Sequence, residues 1–472
     1  MTKKNQSNDP HLVIIGGGSA AFSAAIAGSD LEARVTIIND GLPIGGTCVN
    51  VGCVPSKTLI RAAEAVHRAQ RHGFAGVETS GRVTDFQQVI EQKRVLVEEL
   101  RQAKYLDVVA DMPGFSRIEG RARLLSPTQV QVGDRRLDAD KIIIATGVRP
   151  TVPETPGMDE VEYLNNESAF ELDALPSSMI VVGGSYVGLE IAQMFARFGT
   201  RVTVLARRHV LRRELADVRD GLVGFLREEG IRVEENAKVA SVRQDGEGVV
   251  ASVSQGDKTF EVRAEKLLMA TGRAPNTTDM GLEDAGVRTD RGGFIEVDDH
   301  MRTSVPGIWA AGDVIGGEMF VYTAADGGAL AARNAVGPGD QQRRTDPTPW
   351  VVFTDPQVAG IGLDEQQAAD AGIDAEAATL PLSHVPRALA ARDTRGFIKL
   401  VRDRKTDLLV GARILAPEGS ELLMELSVAM RAGLTVAELR NLLHPYLTLG
   451  EGIKLAAITF GKDVAKLSCC AS

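Results

Sequence analysis

The chain has 472 residues, too long for one compact core and enough for about three domains. Its 44% hydrophobic and 25% charged residues exclude wholesale disorder, and a net charge of −10 offers nothing to draw in nucleic acid or an anionic membrane surface. Its cysteines, Cys48, Cys53, Cys469 and Cys470, form two tight pairs more than 400 residues apart, which excludes the disulfide framework of a small secreted domain.

Residues 1–10 read as a flexible polar tail without the apolar core of a signal peptide. No run of about 18 apolar residues is present, so no bilayer span is expected. The expected setting is a reducing cytoplasm, where a disulfide is usually catalytic.

His11 to Ile15 reads as a buried strand entering a glycine turn, followed by a small-residue helix from Ala20 to Gly28 and a second strand from Arg34 to Ile38. Gly16, Gly18 and Ala21 make G-x-G-x-x-A, and its strand–turn–helix–strand setting makes it a dinucleotide fingerprint. The glycines admit a pyrophosphate to the backbone, and the helix N-terminus supplies positive partial charge.

Next comes Gly45-Gly46-Thr47-Cys48-Val49-Asn50-Val51-Gly52-Cys53-Val54-Pro55-Ser56-Lys57. No third ligand lies close enough in sequence to read this as a zinc site. Five residues of regular helix rise ~7.5 Å, more than the ~4.4–6.8 Å between bridged Cα atoms. A disulfide here therefore needs an irregular turn, which Gly52 and Pro55 favour. Two inert buried thiols are the plainer alternative.

Lys141 to Gly147 is an apolar strand closing on Ala145-Thr146-Gly147, and Lys266 to Gly272 repeats it with Ala270-Thr271-Gly272. Between them a second nucleotide unit has Met179 to Val182 as strand, a turn with Gly183, Ser185 and Gly188, a helix from Leu189 to Phe198 and a strand from Arg201 to Leu205. In both units the residue just past the second strand, Asn39 and Ala206, stands 23 positions after the first glycine. In the second unit Ala206-Arg207-Arg208 stands where an acid would bind the ribose 2′-hydroxyl. Two guanidiniums suit a 2′-phosphate, which selects NADPH; a solvated arginine pair is the bland alternative.

Residues 337–349 read as a linker. Beyond it, strands at Phe397 to Val401 and Leu408 to Ile414 and helices at Ser420 to Ala432 and Val436 to Leu443 predict an α+β domain. The predicted fold class is α/β: two Rossmann-like nucleotide-binding domains plus a C-terminal α+β domain. The expected boundaries are 11–150 with 271–345 for the first nucleotide-binding domain, 151–270 for the second, and 346–472 for the C-terminal domain and its Cys-Cys tail.

The cysteine motif, both glycine units, both Ala-Thr-Gly segments and Ala311-Gly312-Asp313 together resemble the flavoprotein pyridine nucleotide-disulfide oxidoreductases over residues 11–472. The resemblance implies FAD at Gly16, Gly18, Ala21 and Asp313, with Gly46, Thr47, Lys57, Ala145, Thr146, Gly147, Gly272 and Arg273 as further cofactor-binding residues, and it makes 11–150 with 271–345 the FAD-binding domain, 151–270 the NADPH-binding domain and 346–472 a dimerisation domain. It also implies a redox pair with Cys53 against the flavin and Cys48 toward substrate, and Lys57 paired with Glu190 beside the isoalloxazine. The family's ribose-binding acid is replaced by Asn39 followed by Asp40, so either is the candidate. Tyr186 falls where the family keeps a ring over the nicotinamide side of the flavin.

The C-terminal stretch resembles one branch of that family, the mercuric reductases: Pro445-Tyr446-Leu447-Thr448, Lys454-Leu455-Ala456 and Ser468-Cys469-Cys470. This implies NADPH-dependent reduction of Hg(II) to Hg(0) through FAD and the Cys48/Cys53 pair. Cys469 and Cys470 of the partner subunit in a homodimer would deliver the metal from Hg(II) thiol complexes, with Tyr446 and Tyr186 flanking the metal site. Two other functions remain open: a thioredoxin or other disulfide reductase using the tail as an electron relay, and a mercury-sequestering flavoprotein. Disulfide-substrate reductases read H-P-T-x-x-E, a His–Glu proton-transfer pair five residues apart, whereas His444 and Glu451 are seven apart here. His444 is either a packed histidine or a remnant of thiol–disulfide chemistry.

Overall fold

A computed structural model describes residues 9–466; Cys469 and Cys470 lie outside them. The first sheet is parallel, with strands in the order Ile308–Ala310, Lys141–Ile144, His11–Ile15, Arg34–Asn39 and Phe115–Glu119. His11–Ile15 is central and buried along its whole length, as an unbroken apolar strand covered on both faces must be. Helix α1 (Ser19–Asp30) follows it, and residues 321–336 return as a second small-residue helix whose Gly328 lies against the Ala20 backbone. The redox loop forms α2 (Gly46–Asn50) and α3 (Cys53–Gln70).

The second parallel sheet has the order Arg232–Glu234, Arg201–Leu205, Ser178–Val182 and Lys266–Met269. Its helix α4 (Tyr186–Phe198) starts three residues earlier than the sequence pattern predicts, because Gly188 belongs inside the first turn. A Cβ there would lie 2.3 Å from the Gly183 carbonyl oxygen, so the glycine permits close helix–strand packing. The two Ala-Thr-Gly segments have a shared cause: the carbonyls of Ala145 and Ala270 abut Gly16 and Gly183, 2.1 and 2.2 Å from where a Cβ would stand. Just beyond these segments, Val148–Pro150 pairs antiparallel with Arg273–Pro275 where the chain leaves the first unit and returns.

The C-terminal unit is an antiparallel sheet in the order Trp350–Val352, Gln357–Gly362, Leu409–Ala416, Phe397–Asp403 and Ala375–Pro381. Against it pack α5 (Gly419–Arg431) and α6 (Glu451–Ile458). The predicted helix to Leu443 stops at Asn441, because Leu442 turns extended and Pro445 disfavours helical backbone before it. The fold is thus α/β with two Rossmann-like units and a C-terminal α+β unit.

A buried ion cluster ties the C-terminal unit to the second nucleotide unit. Arg197 on α4 bridges Glu229 at 2.6 Å and Asp355 at 3.0 Å, and Arg395 approaches Asp355 at 3.2 Å. Burial pushes the Asp355 carboxyl up, but Arg197 and Arg395 outweigh it and leave it below the usual carboxylate range. Among the described residues, no helix is long and apolar enough to cross a membrane.

Candidate active site

A cavity of about 880 Å³ runs from the first glycine turn to the redox loop. Gly18, Asn39, Asp40, Gly46, Thr47, Ala145, Thr146 and Gly147 line it, with Cys48, Cys53, Lys57, Glu190, Arg273 and Asp313. Gly16, Ala21 and Gly272 stand behind its wall, and Gly183, Ser185, Gly188, Arg207 and Arg208 lie apart in the second unit.

The cysteines meet because the helix breaks between them. Gly52 takes an irregular conformation between α2 and α3, and a Cβ on it would lie 2.8 Å from the Thr47 carbonyl oxygen. Asn50 fixes the same loop: its amide donates to the carbonyls of Pro43 at 2.8 Å and Gly46 at 2.9 Å, and its oxygen accepts from Arg101 at 2.9 Å. Cys53 becomes the first residue of an 18-residue helix, a position that favours a thiolate.

The two sulfurs are not bonded to each other; a hydrogen bond joins the thiols. For Cys53 that bond from Cys48 is the largest influence; burial opposes it, the Lys57 ammonium adds to it, and the thiol falls to about 7. Cys48, which keeps its proton, is held far above the usual thiol range, first by the same bond and then by burial. Lys57 donates to Glu190 at 2.7 Å and lies 4.5 Å from the centre of the Phe353 ring. The other Glu190 oxygen accepts from the Phe353 backbone N–H at 2.9 Å.

The cavity residues fit FAD. Among the described residues the Asp313 carboxylate has only Arg273 beside it, at 3.5 Å. Burial raises its pKa and Arg273 offsets this in part. It is an acceptor turned to the cavity with lone pairs to spare, suited to hydroxyls of a polyol chain. Gly18, where a Cβ would have only Gly46 Cα near it at 3.7 Å, leaves the α1 N-terminus open to a phosphate. Asn39 is buried and donates to the Leu42 carbonyl at 3.0 Å and to Glu119 at 3.2 Å. This turns its oxygen toward Gly17, while Asp40 sits exposed at the rim.

Arg207 and Arg208 are exposed, with no ion-pair partner among the described residues. Tyr186 does not line the cavity; its neighbour Val187 does. Its ring stacks instead between Phe320 and Trp350. His444 bonds Glu425 of α5 at 2.7 Å, not Glu451, whose carboxylate accepts from the Leu447 N–H at 3.2 Å. Tyr446 is exposed on the loop between. Neither His444 nor Tyr446 borders this cavity. Among the described residues, no group of three or more His, Cys, Asp and Glu gathers as a metal site.

Sequence reasoning passed over Phe353, Asn50 and Asn276. Asn50 had a visible signal, a buried-type amide between two redox cysteines. Asn276 exchanges bonds with Thr146, donating to its carbonyl at 2.9 Å and accepting its hydroxyl at 2.8 Å. Phe353 had no signal, because its role lies in a contact 163 residues from Glu190.

Residues 10–328 match the sequence family described as pyridine nucleotide-disulphide oxidoreductase, and residues 348–457 match its dimerisation domain. The chain belongs to the pyridine nucleotide-disulphide oxidoreductase family. It is 44% identical to the mercuric reductase of Streptomyces lividans over 466 residues, covering 98% of each chain. It is 42% identical to the mercuric reductase of Bacillus cereus over 464 residues, 98% of this chain and 73% of that one. Among solved structures, the Cu(II) complex of the HOCl-induced flavoprotein disulfide reductase RclA of Escherichia coli superposes with a TM-score of 0.86 at 31% identity, covering 96% of this chain and 100% of that one. LpdA of Mycobacterium tuberculosis gives 0.84 at 31% identity, with the same coverage.

Proposed function

We propose that this protein is an NADPH-dependent, FAD-containing mercury(II) reductase that works as a homodimer in the cytoplasm, converting Hg(II) delivered as thiol complexes to Hg(0). The observation that carries this reading is the Cys48/Cys53 dithiol, opening on an FAD-sized cavity beside Lys57 and Glu190. Full-length similarity to mercuric reductases supports it. When bound, FAD supplies the two-electron connection between the nicotinamide and this site.

The protein's own residues account for capture of the metal. Thiolate sulfur selects soft metals, and Cys53, lowered to about 7, is in part thiolate at neutral pH while Cys48 holds a proton. With its proton passed to the Cys53 thiolate across the hydrogen bond that joins them, Cys48, the substrate-side sulfur, attacks a bis-thiol Hg(II) complex, forming one Hg–S bond and expelling one thiolate. Binding of Cys53 then forms the second Hg–S bond, and its proton leaves with the second displaced thiol. Lys57, held by Glu190, keeps positive charge beside the dithiolate as it forms. Cys469 and Cys470 of the partner subunit pass the ion inward, so that it moves between thiolates without being released. Arg207 and Arg208 select NADPH by its 2′-phosphate.

The test is NADPH oxidation with Hg(II), oxidised thioredoxin, lipoamide or oxidised glutathione in turn, with mercury vapour trapped. NADPH consumption with vapour on Hg(II) alone is expected. Rapid disulfide turnover without vapour would overturn the reading in favour of a disulfide reductase. Stoichiometric Hg(II) binding without NADPH consumption would overturn it in favour of sequestration.

A further inference from the structure

Two strands of the first sheet end side by side at the cavity. Arg34–Asn39 and Phe115–Glu119 run parallel, and their last residues, Asn39 and Glu119, are register partners. In open α/β sheets ligands bind beyond the carboxyl ends of the strands, and Asn39, Asp40, Leu42 and Gly120 line the cavity there. The Asn39 carbonyl accepts from the Gly120 N–H at 2.8 Å, which ties the two strand ends together.

The Asn39 side chain is spent at one end and open at the other. Its amide nitrogen carries two hydrogens. One goes to the Leu42 carbonyl at 3.0 Å and the other to Glu119 Oε2 at 3.2 Å. Glu119 is held in turn by the Arg117 guanidinium, 3.2 Å from its Oε1. Asn39 Oδ1 therefore faces away from this network, over the glycine turn, 2.1 Å from where a Cβ on Gly17 would stand. An amide oxygen placed so is an acceptor for a sugar hydroxyl. Dinucleotide units ordinarily put a carboxylate there, about 20 residues past the glycines. In this chain a carboxylate oxygen in place of Nδ2 would stand 3.2 Å from Glu119 Oε2 and 3.0 Å from the Leu42 carbonyl oxygen. It would meet acceptors on both sides. The neutral residue at 39 and the acid at 119 fit each other.

We infer that Glu119 is a positioning residue for FAD. By taking one amide hydrogen of Asn39 it makes Asn39 Oδ1, rather than the Asp40 carboxylate, the acceptor for the adenosine ribose hydroxyls. This rests on FAD occupying the cavity and is independent of what the dithiol reduces.

The experiment measures the FAD dissociation constant of the holoenzyme by flavin fluorescence. Glu119→Met, similar in length but without an acceptor, should weaken FAD binding by about threefold. Glu119→Gln keeps an acceptor oxygen and should bind as the unmodified protein does. Asn39→Asp should weaken binding by about tenfold, because two carboxylates then meet. Glu119→Gln added to Asn39→Asp should tighten it again, since the glutamine amide donates to the carboxylate at 39. With FAD exchanged for its 2′,3′-dideoxyadenosine analogue, Glu119→Met and the unmodified protein should bind alike.

Asn39→Asp binding as tightly as the unmodified protein would overturn the proposal, as would a double variant no tighter than Asn39→Asp alone. A Glu119→Met loss that persists with the dideoxy analogue assigns Glu119 to the fold of the loop and overturns it too. A loss of about tenfold in Asp40→Asn would give the ribose to Asp40 instead. Should Asn39→Asp purify without flavin, FAD content per subunit is compared between it and the double variant, by the same criteria. Absence of FAD from the unmodified protein would overturn the cofactor assignment itself.

Discussion

Glu190 divides its carboxylate between Lys57, at 2.7 Å, and the backbone N–H of Phe353, at 2.9 Å. One acid on a nucleotide-unit helix thus sets the charge beside the redox pair and pins it to the C-terminal sheet. Lys57 and Glu190 should move Cys53 in opposite directions, because the Lys57 charge lowers the Cys53 pKa and the Glu190 charge raises it. Lys57→Gln should shift the midpoint for Cys53 ionisation up by about one pH unit, and Glu190→Gln should shift it down. Alkylation of the reduced protein by iodoacetamide, followed across pH by peptide mass, measures both. In the unmodified protein Cys53 should react with a midpoint near 7 and Cys48 should lag, since it retains its proton. Equal reactivity of the two thiols would contradict the assignment.

Arg207 and Arg208 carry the coenzyme preference in the proposed function. Each charge-assisted contact to a phosphate contributes about 1.5–3 kcal/mol, or roughly tenfold to a hundredfold in affinity. Arg207→Ala with Arg208→Ala should therefore raise the NADPH KM by at least about tenfold and leave NADH almost unaffected. Steady-state kcat/KM for both coenzymes is the measurement. A parallel loss for the two would mean that the arginines hold the fold of the loop instead.

Much of the site was legible because its signals are local. The glycine turns and the cysteine loop depend on residue identity within a dozen positions, and the two units announce each other by equal spacing. What stayed hidden consists of partners chosen across long stretches of chain. Gln193 and Asp355, whose backbone and side-chain groups bond each other at 2.8 and 2.9 Å, are 162 residues apart. The same holds for His444: the sequence points to Glu451 as its partner, and the fold brings up Glu425 from α5. Tyr186 shows a third limit. Its place at the start of α4 follows from the glycine turn, but its ring direction is set by Phe320 and Trp350, which no local pattern links to it.

The ion cluster at Asp355 predicts acid sensitivity at the contact between units. The folded-state pKa of Asp355 lies below its unfolded value of about 3.9. The stability it contributes is therefore complete above that value and is lost as pH falls through the folded pKa. Thermal unfolding should show a transition that weakens below about pH 4, and Asp355→Asn should be less stable at neutral pH and flatter below it. Glu229→Gln, which leaves Arg197 and Arg395 under-compensated in a buried setting, should cost about 3–5 kcal/mol by denaturant unfolding.

The tail cysteines separate capture of the metal from the reducing machinery. If Cys469 and Cys470 of the partner subunit receive Hg(II) and hand it to Cys48 and Cys53, replacing both with Ala removes only the receiving step. Turnover of Hg(II) presented as a tight dithiol complex should then fall steeply, while reduction of bound FAD by NADPH proceeds at its normal rate. Mixing one subunit that carries Cys48→Ala with another that carries Cys469→Ala and Cys470→Ala decides whether delivery crosses the dimer. A heterodimer of these two keeps one complete site only if the tail of one subunit serves the dithiol of the other. In that arrangement the Cys48→Ala subunit supplies an intact tail to the intact Cys48/Cys53 pair, and about half of the activity per dimer should survive, as expected for independent sites. If delivery stayed within a subunit, the same heterodimer would have no complete site and its activity on the thiol complex would vanish.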